Sequence, residues 1–191
     1  AKSRDSQRIS DLATMKGAMQ LYLTDVSSPS FTNCVSAVPV VEGDNADHGK
    51  IRASLKTAPN AAYINKYVVA TDANRKKNTA SGWMNIDFTA VTSGAPIESL
   101  PTDPSIDLSG TTDITSGKYY RFACYNNGGK YEYEFDAGLE SGTWGPAASG
   151  ASNKGANDGG DANTSPGTGA TNRYEVGNNL GILPVTASIT P

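Results

Sequence analysis

Side chains that could hold a metal ion or act as acid and base are few and spread along this sequence. The one histidine, His48, lies in a polar stretch with Asp44 and Asp47. Their spacing lacks the alternating oxygen ligands and the distal glutamate of a calcium-binding helix-loop-helix, and we interpret the stretch as a solvated loop. Neither a Gly-x-Ser-x-Gly elbow nor a zinc-spaced His/Cys cluster occurs. Catalysis needs such groups held together, so we do not expect an enzyme.

Cysteine chemistry is limited to Cys34 and Cys124. Two cysteines far apart in sequence do not make a metal site by themselves. In an exported protein a disulfide between them is the expected pairing, and closing so long a loop stabilises by about 4 kcal/mol in the chain-entropy model. Two separate buried thiols are the alternative.

Composition narrows the class of partner. The 191 residues carry a net charge of -3, and the 16 basic residues are scattered apart from the run at 75–77. Phosphate binding needs a broader basic surface, so nucleic acid is not the expected partner and 75–77 is interpreted as a solvated loop.

The sequence contains no run of about 18 apolar residues that would span a bilayer. With 20 Gly and 10 Pro, much of the chain must be turn and loop.

The element that must organise the rest is an amphipathic helix over residues 3–23. Apolar side chains recur at helical spacing on one arc of it, namely Ile9, Leu12, Met15, Met19, Tyr22 and Leu23. Arg8 and Lys16 also project into this arc, and we expect their stems to lie along apolar surface while their charges reach water. Pro29 ends the segment. On spacing alone, an ordinary first helix of a globular domain is the simplest interpretation.

A β-hairpin between residues 119 and 135 is the clearest local prediction. Asn127-Gly128 supplies the positive-φ positions of a tight turn, which pairs Phe122 with Tyr133 and Arg121 with Glu134. All apolar partners then share one face, and the amphipathic helix offers a cover for it.

Further strands are predicted on both sides of the hairpin. Residues 62–69 are apolar, and residues 83–88 alternate, with Met84, Ile86 and Phe88 on one side and Trp83 on the other. Residues 145–173 form a long Gly/Asn/Asp-rich loop with no large apolar side chain, after which residues 174–184 dock back on the sheet.

Residues 2–12, followed by Met15, Met19 and Tyr22, resemble the segment just after the membrane-spanning half of the N-terminal helix in type IV pilins and type II secretion pseudopilins. The order of Leu100-Pro101-Thr102-Asp103-Pro104, residues 119–124 and residues 174–177 is similar to pilin-like proteins of Gram-positive and candidate-phyla bacteria. The resemblance implies an α+β fold, with a helix packed on an antiparallel sheet of about four strands and long irregular loops. The helix then occupies residues 1–26 and a globular β domain residues 27–191.

The same resemblance implies a structural role. Pilin-like subunits polymerise into a cell-surface filament, so the expected partners are other copies of the subunit and the inner-membrane assembly machinery. The machinery would be reached through an apolar half-helix that the given sequence lacks. The expected subunit-interface residues are Ile9, Leu12, Met19 and Leu21. The alternative is a cell-surface adhesin module that binds carbohydrate or protein through Tyr- and Asn-rich loops.

A calcium ion sits in the C-terminal loop of the major pseudopilins. Here residues 157–163 place Asp158 and Asp161 in a glycine-bearing loop whose oxygen ligands suit calcium. The spacing departs from the pseudopilin motif, and a plain solvated loop is the alternative.

Overall fold

A computed structural model describes residues 1–29, 31, 33–36, 38, 50–56, 67–105, 119–141 and 173–183. The described residues form one long helix, five strands and one 3₁₀ turn. In order, these are α1 (Lys2–Asp25), β1 (Arg52–Ala53), β2 (Val68–Val69), the turn Phe88–Ala90, β3 (Tyr120–Asn127), β4 (Lys130–Gly138) and β5 (Arg173–Gly177).

The five strands form one mixed sheet in the order β2-β1-β3-β4-β5. The β1–β3, β3–β4 and β4–β5 pairs are antiparallel, whereas β1 and β2 run parallel. With α1 packed on this sheet, the predicted α+β class is confirmed. The sheet differs from the predicted four antiparallel strands because residues 67–69 add a short parallel strand at one edge. Of the predicted strand over residues 62–69, residues 62–66 lie outside the described residues.

The predicted hairpin is present, but its register was wrong by two residues. The turn is formed by Gly128 and Gly129, whose φ values are 60° and 95°, and Asn127 pairs with Lys130. Glycine takes positive φ without steric cost, so two consecutive glycines displace Asn127 from the turn. The Asn126 side chain accepts a hydrogen bond from the Gly129 N–H at 2.8 Å, which fixes the turn further.

Because side chains alternate with period two, a shift of two keeps every residue on its predicted face. The shift does change the cross-strand partner of each residue. Phe122 lies opposite Phe135, with ring centroids 4.9 Å apart, and Arg121 lies opposite Asp136 instead of Glu134.

One face of the sheet is covered by α1. The apolar residues of the helix and the strands join in one buried cluster, which includes Leu12, Met15, Met19, Tyr22, Phe122, Tyr133, Phe135 and Val176. The Tyr133 hydroxyl donates to the Lys16 backbone carbonyl at 3.4 Å, so the helix axis lies directly over β4. The helix stops before Pro29, and the Val26 N–H closes its last turn on the Tyr22 carbonyl at 3.0 Å.

Residues 83–88 complete this cluster, but not as a strand. Asn85 has a φ of 58°, and its N–H bonds to the Gly82 carbonyl at 3.1 Å, so the backbone turns where the alternation predicted extension. Trp83 is fully buried on the same side as Met84 and Ile86, and its Nε1 donates to the Pro101 carbonyl at 3.0 Å. The prediction failed because a residue in the left-handed region breaks the period of two.

The other face of the sheet carries a second apolar cluster. It consists of Val35, Ile51, Ala53, Leu55, Tyr67, Tyr119, Ala123, Ile182 and Leu183. The return of the chain after the predicted long loop is confirmed, because β5 pairs with β4 and Ile182 is fully buried. Residues 142–172 lie outside the described residues.

The structure contains the disulfide between Cys34 and Cys124, across a sequence separation of 90 residues. The disulfide joins the segment after α1 to β3. Beside it, the Val35 N–H donates a backbone hydrogen bond to the Cys124 carbonyl at 2.8 Å.

Gly177 provides a test of the β4–β5 contact. A Cβ at this position would lie 2.2 Å from the Tyr133 carbonyl oxygen, which is backbone and cannot move aside. We expect Gly177→Ala to lower the free energy of unfolding by about 1–3 kcal/mol, because β5 must separate from β4.

The matched control is Gly17→Ala. A Cβ there meets nothing within 4 Å, so this variant should be more stable by about 0.5–1 kcal/mol through helix propensity. Urea unfolding of both variants measures the difference, and a Gly177→Ala protein as stable as wild type would contradict the close β4–β5 approach.

Candidate functional site

The four residues predicted at a subunit interface separate into two groups. Leu12 and Met19 are fully buried within this chain, so they are corrected from interface residues to core residues. They were misplaced because the apolar arc of the helix faces its own sheet. Ile9 is half-buried and Leu21 is 40% exposed, which leaves these two within reach of another molecule.

The outward face of α1 is the exposed side of the helix between Ser6 and Thr24. It consists of Ser6, Gln7, Ser10, Ala13, Thr14, Gly17, Gln20, Leu21 and Thr24. None of these residues is charged, whereas a helix face meant for water normally carries charged residues. The charged residues Asp11 and Lys16 lie half-buried at its margins. The outward face is therefore neutral, with mostly small side chains, two glutamines and one exposed leucine.

Beneath the opposite side of α1 lies a buried ionic cluster centred on Arg8. The Arg8 side chain is 0% exposed. Its Nε and Nη2 donate to the two carboxylate oxygens of Asp103 at 2.7 and 3.0 Å, and its Nη1 donates to Asp5 Oδ1 at 2.7 Å. Nη2 also donates to the Ser105 hydroxyl at 2.7 Å. Two-point binding of a guanidinium by one carboxylate is among the strongest polar contacts in proteins, so Arg8 fixes the helix to the 101–105 loop.

Asp5 extends this cluster to the end of β4. Its carboxylate accepts the Glu140 N–H at 3.0 Å and the Ser141 N–H at 2.8 Å. Burial opposes ionisation of Asp5, but these hydrogen bonds and Arg8 outweigh it and hold its pKa below the ordinary value. Arg4 and Glu140 form a further ion pair at the rim. The first two turns of α1 are thus bound to two separate parts of the chain.

The expectation that the Arg8 charge reaches water was wrong. Lys16 is half-buried as expected of a stem lying on apolar surface, but Arg8 has carboxylate partners below the helix that the sequence did not reveal. Burial disfavours the charge, yet Asp103 and Asp5 raise the pKa of Arg8, so the guanidinium stays ionised.

Sequence reasoning did not assign Asp103, Glu140 or Ser141 to any site. One signal was available, namely an arginine inside an apolar arc, since a charge at such a position requires a buried counter-charge. Asp103, which binds Arg8 at two points, lies 95 positions away, and periodicity carries no information about such a tertiary contact.

A second ionic cluster lies on the other face of the sheet. Asp136 is bound by Arg121 Nε at 2.7 Å and by Arg173 Nε at 2.7 Å, and all three side chains are buried. The predicted pairing of Arg121 with Glu134 is corrected accordingly. Burial opposes ionisation of Asp136, but the two arginines keep its pKa below the ordinary value. Glu134 instead accepts the backbone N–H groups of Ile182 and Leu183, each at 2.8 Å.

The carboxylates of Asp5, Asp103, Asp136 and Glu134 all accept hydrogen bonds from arginine or backbone N–H groups. Across the described ranges, no three His, Cys, Asp or Glu side chains are grouped so as to hold a metal ion. Asp158 and Asp161, together with His48, lie outside those ranges, so the calcium site stays a prediction. In the same ranges, no helix has the length and apolar character needed to cross a membrane.

Replacing Arg8 tests the ionic cluster. Arg8→Met leaves the carboxylates of Asp5 and Asp103 without their cation in a site closed to water, and we expect the free energy of unfolding to fall by about 3–5 kcal/mol. Urea unfolding at neutral pH measures this loss.

Lys16→Met is the matched control, since Lys16 projects from the same helix arc and is half-buried. Its free energy of unfolding should change by less than about 0.5 kcal/mol. Equal, small effects of the two substitutions would mean that the Arg8 contacts do not hold the helix.

No protein-family model matches the chain, and no curated protein or solved structure is significantly similar to it. The functional conclusion therefore depends on the residues and geometry described above.

Proposed function

We propose that this chain is the globular part of a structural subunit of a type IV pilus or a related secretion pseudopilus, and that it has no catalytic role. In this proposal the helix-on-sheet fold is a pilin-like one. Copies of the subunit assemble through their helices into a filament on the cell surface, and an apolar segment preceding α1 anchors the subunit in the membrane before assembly.

The observation that carries the proposal is the outward face of α1. A neutral face on which six of nine side chains are Ser, Ala, Thr or Gly lets two helices approach closely, within the interaxial distances of about 8–10 Å seen in helix packing. Leu21, 40% exposed on this face, provides an apolar contact for a neighbouring copy. A helix that only covered its own sheet would have no need of an uncharged outer surface.

The buried cluster around Arg8 supports the same role. If filament contacts are made by α1, the helix must not separate from the domain that it carries. Asp5 and Arg8 connect the first two turns of the helix to Asp103 and to the backbone after β4. These contacts are at the amino-terminal end of α1, where an apolar segment leading to the filament centre would join.

The remaining features agree with a secreted structural protein. A disulfide is typical of proteins that fold in an oxidising compartment. The carboxylates of both buried clusters are held by arginine or backbone groups, as expected where charge has a structural role. The net charge of -3 and the scattered basic residues favour protein partners over nucleic acid.

Gly17 offers a direct test, because it lies on the outward face and a side chain there meets nothing within 4 Å in the subunit. Gly17→Glu should leave the isolated domain folded and more stable by about 0.5–1 kcal/mol, since glycine is the poorer helix former. The complete gene carrying this change, expressed in cells that lack their own copy, should yield few or no filaments in sheared surface fractions, because the glutamate separates the helices.

Gly17→Ala is the control, and cells expressing it should yield as many filaments as wild type. If the Gly17→Glu subunit reaches the surface and assembles normally, the outward face is not an interface between copies. That result would favour the alternative, a surface module that binds carbohydrate or protein.

A further inference from the structure

Glu134 is a fully buried carboxylate that makes no ion pair among the described residues. It lies on the face of the sheet away from α1, under Ile182 and Leu183, whose N–H groups it binds through Oε2. Its other oxygen, Oε1, is buried without a hydrogen-bond partner among the described residues. An ionised carboxylate with one bare oxygen in such a place is costly.

Among the described residues no cation is hydrogen-bonded to Glu134, although Arg121 on the neighbouring strand attracts its charge. Its own strand contributes Asp136 and, nearer the surface, Glu132, which is paired with Lys130 at 3.5 Å. The neighbouring strands contribute the other titratable groups of this face. They are Tyr119 just before β3, Arg121 and Tyr125 in β3, Arg173 and Glu175 in β5, and Tyr67 beside β2.

Five arginine and carboxylic acid residues of this set are at most 4% exposed. Among the described residues they are two arginines, Arg121 and Arg173, and three carboxylic acids, Glu134, Asp136 and Glu175. Both arginines bind Asp136. Ionisation of all three carboxylates would leave one surplus negative charge closed off from water. Glu134 fits the neutral role, because none of its described hydrogen bonds comes from an arginine and its Oε1 has no described partner.

We propose that Glu134 carries a proton on Oε1 at neutral pH and acts as a pH-sensitive latch that holds residues 178–183 against β4. Oε2 accepts the two backbone N–H groups in either protonation state, but only the neutral carboxyl does so without placing a charge in this dry site. Loss of the proton places a negative charge beside Asp136. Water reaches that charge only when Ile182 and Leu183 lift from the sheet, so ionisation weakens the latch.

The direction of the pH effect follows from the electrostatics. Burial, with a smaller contribution from Asp136, raises the pKa of Glu134 from 4.5 to about 8. These effects outweigh the Leu183 and Ile182 N–H groups and Arg121, which favour the ionised form. A carboxyl with a raised pKa in the folded state stabilises that state fully below its unfolded pKa and loses this contribution as pH rises through its folded pKa. The latch is therefore tightest in mild acid and weakens up to a pH of about 8.

Amide hydrogen exchange measures the latch where it acts. Once corrected for the intrinsic pH dependence of exchange, the protection of the Ile182 and Leu183 amides should fall by up to about tenfold per pH unit between mild acid and a pH of about 8. Glu134→Gln, which keeps the shape and the Oε2-type acceptor without a titratable proton, should remove this slope.

Glu132→Gln is the matched control on the same strand and face. Glu132 binds Asn179 Nδ2 through Oε2 at 2.6 Å, and that hydrogen bond holds its pKa below the ordinary value, so the substitution should leave the slope as in wild type. A slope that persists in Glu134→Gln, or that disappears in Glu132→Gln, would overturn the assignment.

A measurement on the unaltered protein covers the case in which Glu134→Gln does not fold. The side-chain carboxyl carbon of Glu134, followed by carbon-13 NMR, should have the chemical shift of a protonated acid at pH values below about 7 and should titrate near the value given above. A Glu134 carboxyl that is already ionised in that range would overturn the proposal.

Discussion

The structure depends on a buried guanidinium. An amphipathic helix could rest on this sheet by apolar contact alone, at many angles and with little to prevent sliding. The two-point bond from Arg8 to Asp103, and the contacts of Asp5 with Arg8 and Ser141, admit one position of the helix. A buried charge that loses its partner costs several kcal/mol. Movement of α1 away from the sheet would separate the buried ion pairs and is therefore opposed by this cost.

The same principle operates on the second face of the sheet. Asp136 joins β3 to β5 through Arg121 and Arg173, and the Arg173 guanidinium lies 4.7 Å from the centre of the Tyr119 ring. Strand β5 has only five residues with which to pair. A strand this short sets its register only weakly through backbone hydrogen bonds. The ion pair between Arg173, the first residue of β5, and Asp136 fixes that register further.

Local chemistry predicted the helix, the hairpin and the return of the C-terminal segment, because periodicity and glycine turns act over a few residues. The predicted hairpin register and the predicted strand over residues 83–88 were wrong because other local conformations were more favourable. Gly129 offered a better turn than Asn127, and the left-handed backbone of Asn85 turned an apparent strand into a loop. The buried cluster was beyond sequence reasoning, since only the position of Arg8 within the apolar arc indicated it and nothing in the spacing pointed to Asp103.

In the proposed filament, α1 has two opposite roles, since its inner side is bound to the sheet and its outer side contacts other copies. A structure by electron cryomicroscopy of filaments from cells expressing the complete gene tests this most directly. We expect α1 to keep its position on the sheet and to pack its outward face, at Gly17 and Leu21, against the helix of a neighbouring copy. Filaments in which that face lies in solvent on the outside, or in which α1 has left the sheet, would contradict it.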